Sequence, residues 1–326
     1  MTIVFATNDH LDFPGTVRIT DAARFRSAYV SQAFQTDGAG ITYGNAGFTQ
    51  IPQVSGDVTW IHFQYAKATS FGGSSSDGNA VLHLSSVDGT AILDFDMLDG
   101  SIRIRLFGSS TLTVNLGGNL TGTSPKAIDL KIDLTSDISV ECFVDGISQY
   151  DESQAWTSSP GNPGLIWWRT RDANDAVSLF QQVSELIIAD ENTVGMGLSE
   201  MTPNAAGNYS AWQGDHVETG DNDLGTGASV DTTAQKLSSV LSTFGGPSSS
   251  ALRAVVVNTK ASTRGGTVND LRNFLRINSS DYNGAALGVD DGVKGHTYVW
   301  DVNPDTSNDW DTTDFSGVEV GVESLA

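Results

Sequence analysis

A single cysteine, few basic residues and no run of 18 apolar residues mark what this 326-residue sequence lacks. One thiol, Cys142, allows no internal disulfide, which excludes the disulfide-stapled scaffolds of small secreted domains. Without a long apolar run, no membrane-spanning helix is expected. The first residues, Met1-Thr-Ile-Val-Phe-Ala-Thr-Asn-Asp, lack the basic and apolar regions of an export signal. Seventeen Lys and Arg stand against 39 Asp and Glu, a net charge of −22. Phosphate backbones need clustered cations, so nucleic acid is excluded as a partner, and an anionic membrane surface would repel the chain equally. No nucleophile elbow, phosphate-binding glycine loop or dinucleotide fingerprint is present. The five histidines, at positions 10, 62, 83, 216 and 296, have no zinc-ligand spacing.

What is present is ordinary core material. Hydrophobic residues make up 39% of the chain, with 14 Phe, 7 Trp and 7 Tyr, enough aromatic surface for a packed interior. Up to Gly195 there are 10 Lys and Arg against 22 Asp and Glu, and beyond it 7 against 17, so the acidity coats the whole chain and is not a tail.

The periodicity is that of strands. Val58-Thr-Trp-Ile-His-Phe-Gln-Tyr, Ala80 to Val87, Ala127 to Leu134 and Ile138 to Val144 alternate apolar and polar residues. The helical candidates near Asp21–Phe25 and Asp231–Thr243 are short. Asp88-Gly89, Asp99-Gly100 and Asp145-Gly146 separate alternating runs, as type I′ hairpin turns require. A Gly-, Pro- and Asn-rich stretch follows a closing strand at 183–190. Beyond it, strands are expected at 236–244, 251–258, 273–278, 296–302 and 318–322. The expected fold is all-β: two β-sandwich, jelly-roll-like domains at 1–195 and 211–326, joined by a linker at 196–210.

Candidate chemistry is sparse. Asp94, Asp96 and Asp99 form a D-x-D-x-x-D strand motif similar to the E-x-D-x-x-E motif of family 16 glucanases. Paired carboxylates at such spacing could serve a glycoside hydrolase, but Asp99 also opens a hairpin turn, and exposed strand carboxylates are the simpler expectation. Asp221 and Asp223, and the oxygen-rich loop 303–314, could hold calcium, although metal-free Asx turns account for both; no cofactor is expected. Adjacent Trp167 and Trp168 must point to opposite sheet faces. One fills the core; the other, beside Arg169, could anchor a protein contact or a sugar ring. Arg103 and Arg105 share a face and are expected to pair with surface carboxylates. Cys142 lies in an alternating run and is expected to pack as a small apolar group.

Trp60-Ile-His-Phe-Gln-Tyr, Ile128-Asp-Leu-Lys-Ile and Ile138-Ser-Val-Glu-Cys-Phe-Val-Asp-Gly resemble the concanavalin A-like lectin/glucanase superfamily in its laminin-G-like form, over residues 1–195. The junction, Val183 to Met196 with Thr202-Pro-Asn-Ala-Ala-Gly-Asn and Trp212-Gln-Gly-Asp, is similar to a join in structural proteins of tailed bacteriophages. So is the final stretch, Asn303-Pro-Asp-Thr with Trp310 and Val318-Glu-Val-Gly-Val-Glu. The resemblance implies a non-enzymatic virion protein, tail-associated, a fibre or a head decoration, made in the bacterial host cytoplasm. Its implied partners are other virion proteins, further copies of itself, and host-surface glycan, with Trp167, Trp168 and Arg169 as candidate ligand residues. A glycan depolymerase using Asp94, Asp96 or Asp99 and a free carbohydrate-binding module are the alternatives.

Overall fold

The alternating runs become antiparallel strands in both halves of the chain. The computed structural model describes residues 2–7, 16–19, 33–36, 49–67, 79–98, 101–108, 111–115, 125–156, 159–168, 181–220, 225–247, 250–263 and 266–326. Its two units are Met1–Leu198 and Ser199–Ala326.

The first unit holds β1 (Ile3–Thr7), β2 (Thr16–Ile19), β3 (Ala33–Thr36), β4 (Thr49–Gln50), β5 (Val58–Lys67), β6 (Asn79–Ser85) and β7 (Ala91–Leu98). It continues with β8 (Ser101–Phe107), β9 (Thr111–Asn115), β10 (Lys126–Asp133), β11 (Ile138–Val144), β12 (Ile147–Gln154), β13 (Leu165–Trp168) and β14 (Gln181–Ala189). One sheet has the order β12-β11-β10-β5-β14-β3-β2, with β1 also on β14; the other has β4-β13-β6-β7-β8-β9. Alternation turns one side of each sheet inward. Ile61, Phe63, Ile128, Leu130 and Val140 from the first sheet meet Leu84, Phe95, Ile104, Leu106 and Trp168 from the second in one buried cluster. Phe63 stands edge-on to Phe95 and Trp168, with ring centroids 5.7 and 5.2 Å away. This is the sandwich expected for the first half of the chain.

Turn chemistry varies between the hairpins. Asp145 and Gly146 have φ of 51° and 78° and join the paired residues Val144 and Ile147, so both central residues are left-handed, as a type I′ turn demands. At Asp88-Gly89 only the glycine is left-handed, with φ 86°. The type I′ expectation fails there because Asp88 is used differently: its carboxylate accepts hydrogen bonds from Ser86 Oγ at 2.5 Å and Thr90 N at 3.0 Å. Asp99-Gly100 lies outside the described residues.

The second unit contains β15 (Pro203–Ser210), the short helix α1 (His216–Gly220), β16 (Lys236–Leu241), β17 (Val255–Ala261), β18 (Asp270–Ile277), β19 (Ser280–Asn283), β20 (Leu287–Gly288), β21 (Lys294–Trp300) and β22 (Glu319–Leu325). A sheet of order β15-β16-β22-β18-β19, with β20 also on β18, accompanies the β17-β21 pair. Leu275 and Ile277 of β18 cluster with Trp300 of β21, Trp310 and Val318. The stretch read as linker thus includes a strand. Residues 203–210 alternate half-buried and exposed and pair with β16, and this tertiary pairing overrides the weak strand propensity of Gly and Asn.

Two side chains stitch this unit. Buried Asn273 receives Thr259 Oγ1 at 2.7 Å and donates to the carbonyls of Val257 and His296, joining β18 to the β17-β21 pair. On β19, burial would raise Asp281, but Lys236, Tyr209 and Arg276, all hydrogen-bonded to it, outweigh that and hold its carboxyl below the usual range.

Candidate functional site

On β7, Asp94 lies between the core residues Leu93 and Phe95 and so takes the other face of the sheet, where strand register decides what it meets. Trp167 of β13 pairs with His83 of β6, His83 with Asp94 of β7, Asp94 with Arg105 of β8, and Arg105 with Thr113 of β9. Five residues thus form one cross-strand row. At the ~4.8 Å spacing of neighbouring strands, Trp167 and Arg105 are roughly 14 Å apart along it.

The row has a charged centre. Asp94 Oδ1 lies 2.5 Å from His83 Nδ1, and Asp94 Oδ2 lies 2.8 Å from Arg105 Nη2. With Nδ1 turned to the carboxylate, the orientation of the His83 ring is set by Asp94. Asp94 is only 1% exposed, while the His83 and Arg105 side chains keep 13% and 19%. Aromatic rings flank the pair. Trp167 and Phe107 each stand edge-on to His83 at 6.3 Å.

The expectation of exposed strand carboxylates therefore fails for Asp94, because register places a histidine and an arginine on either side of it. Enclosed by these two side chains and 1% exposed, Asp94 is not open to a sugar in the way a glycosidase carboxyl must be. Asp96 occupies the position opposite Arg103; Asp99 lies outside the described residues. Chemically, the row offers a guanidinium for anions, an imidazole nitrogen backed by a buried carboxylate, and an indole for stacking.

The other sequence candidates separate. Trp168 is 2% exposed and belongs to the core, while Trp167, half-buried, lies on the opposite face. Arg169, Asp221 and Asp223 lie outside the described residues. In loop 303–314 the oxygens serve the chain itself: Asn303 Oδ1 accepts from Asp305 N, and Asp311 Oδ1 from Thr313 N, both at 2.9 Å. Hydrogen bonds from Tyr282 and Asn278 hold the Asp305 carboxyl below its ordinary range. Among the described residues no group of three His, Cys, Asp or Glu is placed to hold a metal ion.

Sequence reasoning passed over His62 and His83, since neither has ligand spacing. The available signal was parity. Each occupies a polar slot of an alternating strand, and its partner occupies the matching slot of a neighbouring strand. His62 Nδ1 meets Asp129 Oδ1 at 2.8 Å, and Thr193 Oγ1 donates to the same oxygen at 2.8 Å. All three residues are fully buried, so this trio fastens the segment after β14 onto the first sheet.

Cys142 is fully buried, and burial, helped by Asp129, pushes its thiol up to about 12. A water-soluble disulfide reagent should leave the native protein unlabelled and react with one thiol per chain after denaturation. Rapid labelling of the folded protein would contradict this placement.

No helix among the described residues is long and apolar enough to cross a membrane. A scan against protein-family models finds no match, and neither does a comparison with curated proteins. Similar solved structures are sandwiches. The binding domain of paraclostridial mosquitocidal protein 1 is 8% identical, with 58% of this chain and 48% of that one covered and a TM-score of 0.42. The chain thus spans about half the length of that domain. An endo-β-1,4-glucuronan lyase from the fungus Trichoderma reesei is 11% identical, with 58% and 96% covered and a TM-score of 0.44. An alginate lyase in complex with alginate trisaccharide is 11% identical, with 55% and 99% covered and a TM-score of 0.39. These likenesses concern the fold alone. They do correct one expectation: polysaccharide lyases stand among the similar sandwiches, so the exclusion of enzymatic function drawn from the sequence is not kept.

Proposed function

We propose that the chain is a glycan-binding structural protein of a tailed-phage particle, and that it reads host-surface sugar through the outer face of the β13-β6-β7-β8 sheet. The observation that supports this is the row of Trp167, His83, Asp94 and Arg105. A half-buried indole beside a fixed polar group is what a sugar ring needs: an apolar platform for its C–H face and nearby groups for its oxygens. The particle role rests on the likeness of residues 183–215 and 303–323 to phage structural proteins. Symmetric display of many copies would multiply a weak single-site affinity.

A second reading, a glycan depolymerase, is favoured by the pairing of His83 Nδ1 with Asp94 at 2.5 Å, which orients an imidazole for proton transfer. Asp94 would then position His83 and take no direct part in bond cleavage.

Binding to a bacterial glycan array, repeated with Trp167→Ala, tests the sugar reading. The variant should keep its melting temperature within a few degrees and lose about tenfold in affinity for any bound glycan. An array silent for the wild-type protein rejects the reading. Mass spectrometry of purified particles tests the virion role, which absence of the chain would reject. Shortening of a bound polysaccharide that stops in His83→Ala would favour the depolymerase.

A further inference from the structure

We infer that the ligand of this face carries a carboxylate, and that Arg105 and Arg103 are the residues that recognise it; the inference rests on the glycan reading above. Three features of the row point this way.

The first is what the face presents. Sites that take neutral sugars offer carboxylates or amides as acceptors for hydroxyl hydrogens. Here the one carboxylate of the row with a described side chain, Asp94, is 1% exposed, with both oxygens engaged by His83 and Arg105. A ligand arriving from solvent meets the guanidinium before it meets any acidic oxygen of Asp94. Such a face favours a group that only accepts hydrogen bonds, and a carboxylate is that group in sugar chemistry.

The second is orientation. The planar guanidinium matches a carboxylate through paired donors. Contact with Asp94 at 2.8 Å restrains Arg105 before a ligand arrives, so less side-chain freedom is lost on binding. A buried ion pair seldom stabilises a fold more than an apolar pair of the same size would. Orienting the arginine gives this costly arrangement a use that stability does not.

The third is repetition along the strand. Arg103 and Arg105 are alternate residues of β8, both partly buried and on the same face, with their Cα atoms about 6.7 Å apart at the usual rise of a strand. Two guanidinium groups on one face can engage more than one carboxylate of an acidic polysaccharide. A chain of net charge −22 has no general attraction for polyanions, so binding of one would report local recognition.

The test uses the full chain and three probes, polygalacturonate, polyglucuronate and polymannuronate, each beside its carboxyl-reduced, neutral form. Titration calorimetry should show binding to at least one acidic polymer and at least tenfold weaker binding to its reduced counterpart. Arg105→Lys keeps the charge but loses the fork, and should weaken binding about tenfold. Arg103→Gln, which leaves the Asp94 pair untouched, should weaken it too, with circular dichroism checking that the sheet is intact. Equal binding of acidic and reduced forms overturns the inference while leaving the glycan reading standing, as does acidic binding indifferent to both arginines. Silence with all three acidic polymers also overturns it; the glycan reading falls separately, on a silent array.

Discussion

Phe63→Ala should cost the first unit about 3–5 kcal/mol of stability, the range for deleting a large buried aromatic side chain. Phe63 is fully buried at the centre of the sandwich, with the rings of Phe95 and Trp168 edge-on at 5.7 and 5.2 Å. Truncation removes apolar area and both aromatic contacts at once. The neighbours cannot collapse into the gap, because each is pinned by its own strand. For a unit of this size, about 10 °C of melting temperature corresponds to that loss, and scanning calorimetry would read it directly. Phe63→Leu, which keeps most of the volume, should cost less than half as much. A shift of under 2 °C for Phe63→Ala would mean that the two sheets do not meet at this residue.

Gly321→Ala should be comparably damaging in the second unit, for the opposite reason. A Cβ at Gly321 would lie 2.3 Å from Phe274 Cζ and 2.5 Å from the Leu237 carbonyl oxygen. Neither can yield cheaply. Phe274 is fully buried with Tyr209 edge-on at 5.8 Å, and the carbonyl belongs to a paired strand. Overpacking of this kind costs about 3 kcal/mol or more when backbone must move. Urea unfolding should show a lower midpoint with an unchanged slope. Adding Phe274→Leu should recover part of the loss, since it removes one clash and leaves the other. Full stability in Gly321→Ala would show that β16, β22 and β18 approach less closely than the structure has them.

The contrast between these positions shows which parts of the fold could be read from the sequence. Phe63 sits in an alternating run whose parity alone assigns it to the core, and the same parity separates Trp168 from Trp167. Asp145-Gly146 announces its turn because few dipeptides accept two left-handed residues in succession. Gly321 announces nothing. It reads as one glycine among 35, and its necessity arises from Phe274, 47 positions earlier in the chain. The candidate site was hidden for the same reason. Trp167, Asp94 and Arg105 were visible one at a time as residue types, but His83 becomes their neighbour only once β13, β6, β7 and β8 are set in register. Strand 203–210 was obscured by composition, since its Gly and Asn residues carry turn signals that pairing with β16 overrides.

The segment after β14 also has a mechanical meaning. Thr193 is bonded to Asp129, and Leu198 N donates to Glu185 Oε2 at 2.9 Å, so the chain leaves the first sandwich through two side-chain clasps spaced along its exit. A pull on residue 199 would load these clasps before it reached the ladder of β14, which is itself held by β5, β1 and β3. Resistance to force is set by the rate of unfolding more than by equilibrium stability. A tether built this way can give and re-form at its outer end while the β4-β13-β6-β7-β8-β9 sheet stays whole.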